Sequence, residues 1–97
     1  MPYRNDYTLK AALQAMLKES GLDAAYQAQR VLAEWDRVAG PQVAAQTRQL
    51  RLDKGVLYLS IPHPAWRQEV SQQRLALQEA VNRYAGQPIC TEVRVTA

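Results

Sequence analysis

The run Gln49-Leu50-Arg51-Leu52-Asp53-Lys54-Gly55-Val56-Leu57-Tyr58-Leu59-Ser60-Ile61 decides the fold. Leu50 and Leu52 alternate with Gln49 and Arg51, and Leu57, Leu59 and Ile61 alternate with Val56, Tyr58 and Ser60. Side chains in a strand point to opposite faces in turn, so both halves read as strands with one apolar and one wet face. Asp53-Lys54-Gly55 between them has hairpin chemistry, because glycine accepts the positive φ that a tight turn demands. The phase puts Tyr58 on the wet face with Arg51 across the hairpin, and it allows Arg94 of the last strand to join them.

On both sides of this hairpin the period changes to that of a helix. Upstream, Leu9, Ala12, Leu13, Met16 and Leu17 form one stripe of a first helix that Ser20-Gly21 ends. Asp23 is placed to cap a second helix over about 24–39, with Val31, Leu32, Trp35 and Val38 on one side. Gly40 stops it, and Pro41 opens a short third helix through about Gln46. Downstream, Pro62-His63-Pro64 breaks the second strand and opens a long helix over about 65–85. Its apolar face runs through Trp66, Val70, Leu77, Val81 and Tyr84, with a polar interruption at Gln73. Gly86 and Pro88 close it, and Ile89, Thr91, Val93 and Val95 alternate as a last strand.

The resulting order, α-α-(short α)-β-β-α-β, is an α+β two-layer domain. A helix between the second and third strands permits a right-handed crossover, which places the helices on one face of a three-stranded sheet and leaves the other face wet. Ninety-seven residues fit one domain, 1–97, with about two thirds of its surface buried on folding.

Composition narrows the function. Hydrophobic residues make up 47% and charged residues 22%, a globular balance that excludes wholesale disorder. No uncharged run approaches a membrane span, and Met1-Pro2-Tyr3-Arg4-Asn5-Asp6 lacks the apolar core of a signal peptide, so a cytoplasmic protein is expected. One histidine, His63, and one cysteine, Cys90, furnish neither a zinc set nor a catalytic pair. Cys90 reads as a small core residue, although it shares a strand phase with Glu92 and Arg94. There is no glycine-rich phosphate loop and no carboxylate pair, so no catalytic site, cofactor, metal or small-molecule substrate is expected.

The net charge of +3 is local. Basic and acidic residues balance over 1–47 and over 75–97, whereas Arg48, Arg51, Lys54, Arg67 and Arg74 face only Asp53 and Glu69 within 48–74. Arg67 and Arg74, seven apart, would share one side of a single helix. Arginine forks suit phosphate, and a tyrosine among arginines on an open sheet can stack a base. The expected partner is DNA, single- or double-stranded and bound without sequence preference, through Arg48, Arg51, Lys54, Arg67 and Arg74 with Tyr58.

The run Trp35-Asp36-Arg37-Val38-Ala39-Gly40, with Ala44 and Thr47 after it and Leu52-Asp53-Lys54-Gly55-Val56-Leu57-Tyr58-Leu59 following, resembles the bacterial DciA-like family. Trp66-Arg67-Gln68-Glu69 and Glu92-Val93-Arg94-Val95 continue the likeness over nearly the whole chain. The resemblance implies a K-homology-like domain that is not an enzyme, binds DNA and helps load or operate the DnaB-type replicative helicase. Pro41, Gln42 and Val43 follow Gly40, so the Gly-x-x-Gly phosphate clamp of nucleic-acid-binding K-homology domains is missing. An RNA-binding module of similar fold and a protein-interaction adaptor without nucleic-acid binding are the alternatives.

Overall fold

A computed structural model describes Ala11, Ala12 and residues 22–97 of the protein. Ala11 and Ala12 are helical and exposed, and the rest of the first expected helix lies outside the described residues. The elements that follow are α1 (Leu22–Ala33), α2 (Trp35–Ala39), α3 (Pro41–Gln46), β1 (Gln49–Asp53), β2 (Val56–Ser60), α4 (Pro64–Gln72), α5 (Arg74–Ala85) and β3 (Glu92–Thr96). The protein is a mixed α+β domain with an open three-stranded sheet of order β1-β2-β3.

β1 and β2 pair antiparallel with Asp53 opposite Val56, so the loop between them is the two residues Lys54 and Gly55. Both carry positive φ, 50° and 83°, the mark of a type I′ turn whose twist matches that of the strands. β3 pairs parallel to β2, and the two helices α4 and α5 make the connection that a parallel pair needs. The apolar rows Leu50–Leu59–Val95 and Leu52–Leu57–Val93 face the helices. There they meet Val31, Trp35, Val70, Leu77, Val81 and Ala85 in one core. Leu57, Leu59 and Ile61 are fully buried, each contributing roughly 1.5–3 kcal/mol by leaving water.

Four boundaries differ from the sequence reading. The helix expected over 24–39 is α1 and α2, broken at Glu34, whose φ of −116° and ψ of 38° let Trp35 turn into the core. Asp23 is not its cap. It sits inside the first turn of α1 and accepts a hydrogen bond from the Gln87 amide at 2.6 Å. The single helix expected over 65–85 is likewise α4 and α5, broken at Gln73, where φ is −105° and ψ is 22°.

The last strand begins at Glu92 rather than Ile89. Cys90 precedes it, fully buried, because the Asn82 side chain clamps its backbone: the Cys90 N–H donates to Asn82 Oδ1 at 2.8 Å, and Asn82 Nδ2 donates to the Cys90 carbonyl at 2.9 Å. Burial pushes the Cys90 thiol above its ordinary value of 9.0, and a hydrogen bond to Glu34 holds the Tyr84 phenol above its ordinary 10.0. Unfolding lets both groups ionise at their ordinary values, so stability present below pH about 9 is lost as the pH rises beyond it. In urea melts at pH 8 and 10, Cys90→Ala flattens part of this alkaline loss relative to the unmodified chain.

The hairpin tip is welded to the approach of β3. The Gly55 carbonyl accepts from the N–H groups of Thr91 at 2.7 Å and Glu92 at 3.2 Å, and from the Thr91 hydroxyl at 3.2 Å. A Cβ on Gly55 would stand 2.9 Å from Thr91 Oγ1. Gly55→Ala combines that contact with left-handed strain of about 1–2 kcal/mol, and a loss of about 2 kcal/mol in a urea melt is the expected result.

Candidate nucleic-acid interface

The sheet face turned away from the helices carries three cross-strand rows: Gln49–Ser60–Thr96, Arg51–Tyr58–Arg94 and Asp53–Val56–Glu92. The middle row is the centre of the site. Tyr58 lies half-buried, with the Arg51 guanidinium carbon 4.3 Å and that of Arg94 5.8 Å from its ring centroid. Register alone produces this arrangement, because strand alternation aims all three side chains to one side. An aromatic between two guanidiniums offers a flat π-surface beside two charged forks.

The next row supplies counter-charges. Arg51 stands 3.8 Å from Asp53, and Arg94 hydrogen-bonds Glu92 at 2.7 Å. That bond from Arg94 holds the Glu92 carboxyl below its ordinary value, and Arg74 pushes it the same way. Both ion pairs are about half-exposed, a setting in which such pairs hold weakly and exchange readily for another anion. In the third row the Ser60 hydroxyl donates to the Ala97 carbonyl at 2.9 Å, and the Thr96 hydroxyl donates to the Leu59 carbonyl at 3.3 Å.

The six residues singled out by the sequence do not form one cluster. Arg51 and Tyr58 meet in the middle row. Lys54 extends from the hairpin tip at one end of the sheet, and Arg48, exposed, enters β1 at the other with its N–H on the Ser60 carbonyl at 2.8 Å. Arg74, exposed at the start of α5, borders β3 and lies close enough to act on Glu92. Arg67 differs from the rest. Its Nη1 donates to the carbonyls of Ile61 at 2.9 Å and Pro62 at 3.2 Å, so its guanidinium secures the turn out of β2. The break at Gln73 also puts Arg67 and Arg74 on separate helices, although both border the groove past Val95.

Arg94 is the residue that the charge tally left out. Its partner Glu92 makes that part of the chain neutral, and only its strand phase with Tyr58 marks it.

The helix layer holds the residues of the tryptophan run. Trp35 is 7% exposed, and its indole N–H donates to the Thr47 hydroxyl at 3.2 Å, which in turn donates to the Val43 carbonyl at 2.8 Å. Gly40, at φ 94°, allows the sharp reversal between α2 and α3 that brings Thr47 back to Trp35. These residues are a buttress behind the sheet. The family described as Dna[CI] antecedent, DciA, matches residues 8–95. The chain belongs to the DciA family.

Membership ties it to the loading of the DnaB helicase in replication, in a family of helicase loaders and accessories not known as enzymes. None of the curated proteins and none of the solved structures compared matches the chain. Among the described residues of this DciA-family chain, no three His, Cys, Asp or Glu side chains gather as a metal site, and no helix is long and apolar enough to cross a membrane.

Proposed function

We propose that this DciA-family chain is a DNA-binding accessory of the DnaB-type helicase, acting in the cytoplasm and holding nucleic acid on the open face of its sheet. The observation that carries this reading is the Arg51–Tyr58–Arg94 row on a face that no described element covers. Tyr58 stacks an unpaired base, while Arg51 and Arg94 exchange their carboxylate partners for phosphates. Lys54, Arg48 and Arg74 extend the charged track past both ends and the β3 side of the sheet. Phosphate contacts fix position without reading sequence, so binding is sequence-independent. The DNA-holding face and the helicase-contacting surface together favour loading of the helicase ring.

Fluorescence anisotropy on a thymidine 20-mer and on a duplex of the same length tests this reading. With Arg67 held by the turn and Arg94 in its place, five cations predict a logarithmic salt slope of about −3.5 on the single strand and about −4.5 on the duplex. Affinity then falls by on the order of a hundredfold or more between 50 and 200 mM salt. Absence of binding at 50 mM salt, or a flat salt response, overturns the assignment. A matched RNA strand that binds markedly tighter than DNA replaces it with the RNA-binding alternative.

A further inference from the structure

β3 is the last strand of the sheet, and its outer edge is open among the described residues. Ile61 N–H donates to the Thr96 carbonyl at 2.8 Å and Glu92 N–H to the Gly55 carbonyl at 3.2 Å, so Glu92, Arg94 and Thr96 turn their backbone groups toward β2. Backbone direction alternates along a parallel strand, which points the N–H and C=O of Val93 and Val95 outward. These four groups face a groove whose opposite wall is Ser71, Gln72, Arg74, Leu75 and Gln78 of α4 and α5. Leu75 is 68% exposed there, an apolar side chain beside unpaired strand backbone.

From these features we infer that the β3 edge is a docking site for an extended acidic peptide of a partner protein, which adds to the sheet as a fourth strand. Backbone pairing to Val93 and Val95 supplies the attachment, as in other strand additions. Side chains set the occupant. The residue opposite Arg94 emerges on the open face directly beside its guanidinium, and a carboxylate there completes a cross-strand pair. On the helix side Leu75 meets an apolar neighbour, while Arg74, close enough to act on Glu92, adds its charge to the attraction for the peptide's carboxylates. Among the described residues Glu92 is the only acid lining this groove, and Arg94 already holds it. A second copy of the chain fits poorly, because the antiparallel register that uses both Val93 and Val95 sets Arg94 against Arg94. DNA has no backbone N–H and C=O groups to pair with the edge. This inference stands apart from the DNA reading, and loss of DNA binding leaves it intact.

The test is amide hydrogen exchange by NMR with the peptide acetyl-Ser-Glu-Val-Glu-Val-Glu-Ser-amide. The expected result is protection of the Val93 and Val95 amides by at least about tenfold, with Arg74→Glu weakening the affinity at least about tenfold. The same peptide N-methylated at both valines, and a version with lysine for glutamate, leave the two amides exchanging freely. Failure of the acidic peptide to protect these amides overturns the inference. Equal binding by the N-methylated peptide, or equal protection by a thymidine 10-mer, overturns it as well.

Discussion

Reversing both guanidiniums of the middle row, Arg51→Glu with Arg94→Glu, reduces affinity for a thymidine 20-mer by at least about a hundredfold at 50 mM salt. Two charge-assisted contacts at roughly 1.5–3 kcal/mol each are lost, and two carboxylates then stand where phosphate would sit. Neither residue belongs to the core, so the variant keeps its thermal midpoint within a few degrees. Arg37→Glu is the matched control. That arginine is exposed on α2 in the helix layer, paired with Glu34 at 3.7 Å, and its reversal leaves DNA affinity nearly unchanged. Tyr58→Ala distinguishes stacking from charge. It costs about 1–3 kcal/mol on the single strand and far less on a duplex, whose bases are not free to stack.

Lys54→Asn separates charge from folding at the hairpin tip. Lys54 sits at φ 50°, where asparagine is at ease, so the substitution stabilises the turn while lowering the salt slope by about one. If the double reversal and Lys54→Asn both leave DNA affinity untouched, the open sheet face is not the interface.

The hairpin was legible because two independent signals agree: a period of two in the apolar residues, and Asp53-Lys54-Gly55 at the only place where that period is interrupted. The breaks at Glu34 and Gln73 were not, since glutamate and glutamine are good helix formers and the cause lies elsewhere in the chain. Glu34 leaves helical geometry as Trp35 enters a core built from β2 and α5, a demand that no local window contains. Cys90 shows the same limit. Its place in the core is legible from its residue type, but its expected strand phase with Glu92 and Arg94 is not what puts it there, since strand alternation begins two residues later, after the Asn82 clamp.

The site divides along the same line. Strand phase alone brought Arg51 and Tyr58 together and allowed Arg94. Charge counting included Arg67, whose partners are two backbone carbonyls that exist only once Pro62-His63-Pro64 has turned the chain. The same counting excluded Arg94, because Glu92 cancels it in the tally while leaving its guanidinium about half-exposed.

Trp35→Ala removes the buried tryptophan of the helix layer and costs about 3–5 kcal/mol, a large share of the 5–15 kcal/mol that holds a domain of this kind together. For about 100 residues each kcal/mol moves the melting midpoint by roughly 4–8 °C, so a fall of at least about 12 °C is expected. Two milder variants isolate the hydrogen bond to Thr47. Trp35→Phe keeps most of the buried ring and removes the donor, while the Thr47 hydroxyl keeps its own bond to the Val43 carbonyl at 2.8 Å. Thr47→Val removes the acceptor and strands the indole N–H of a residue only 7% exposed. An unpaired buried donor costs about 1–3 kcal/mol, so Thr47→Val is the more damaging change at the polar contact. Combining it with Trp35→Phe recovers part of that loss, since no donor is then left without a partner. Urea melts of the four variants measure this coupling, and strictly additive losses would mean that Trp35 and Thr47 do not share a hydrogen bond in solution. DNA binding by Trp35→Phe stays as it was, because the tryptophan stands behind the sheet and supports the face that Arg51, Tyr58 and Arg94 present.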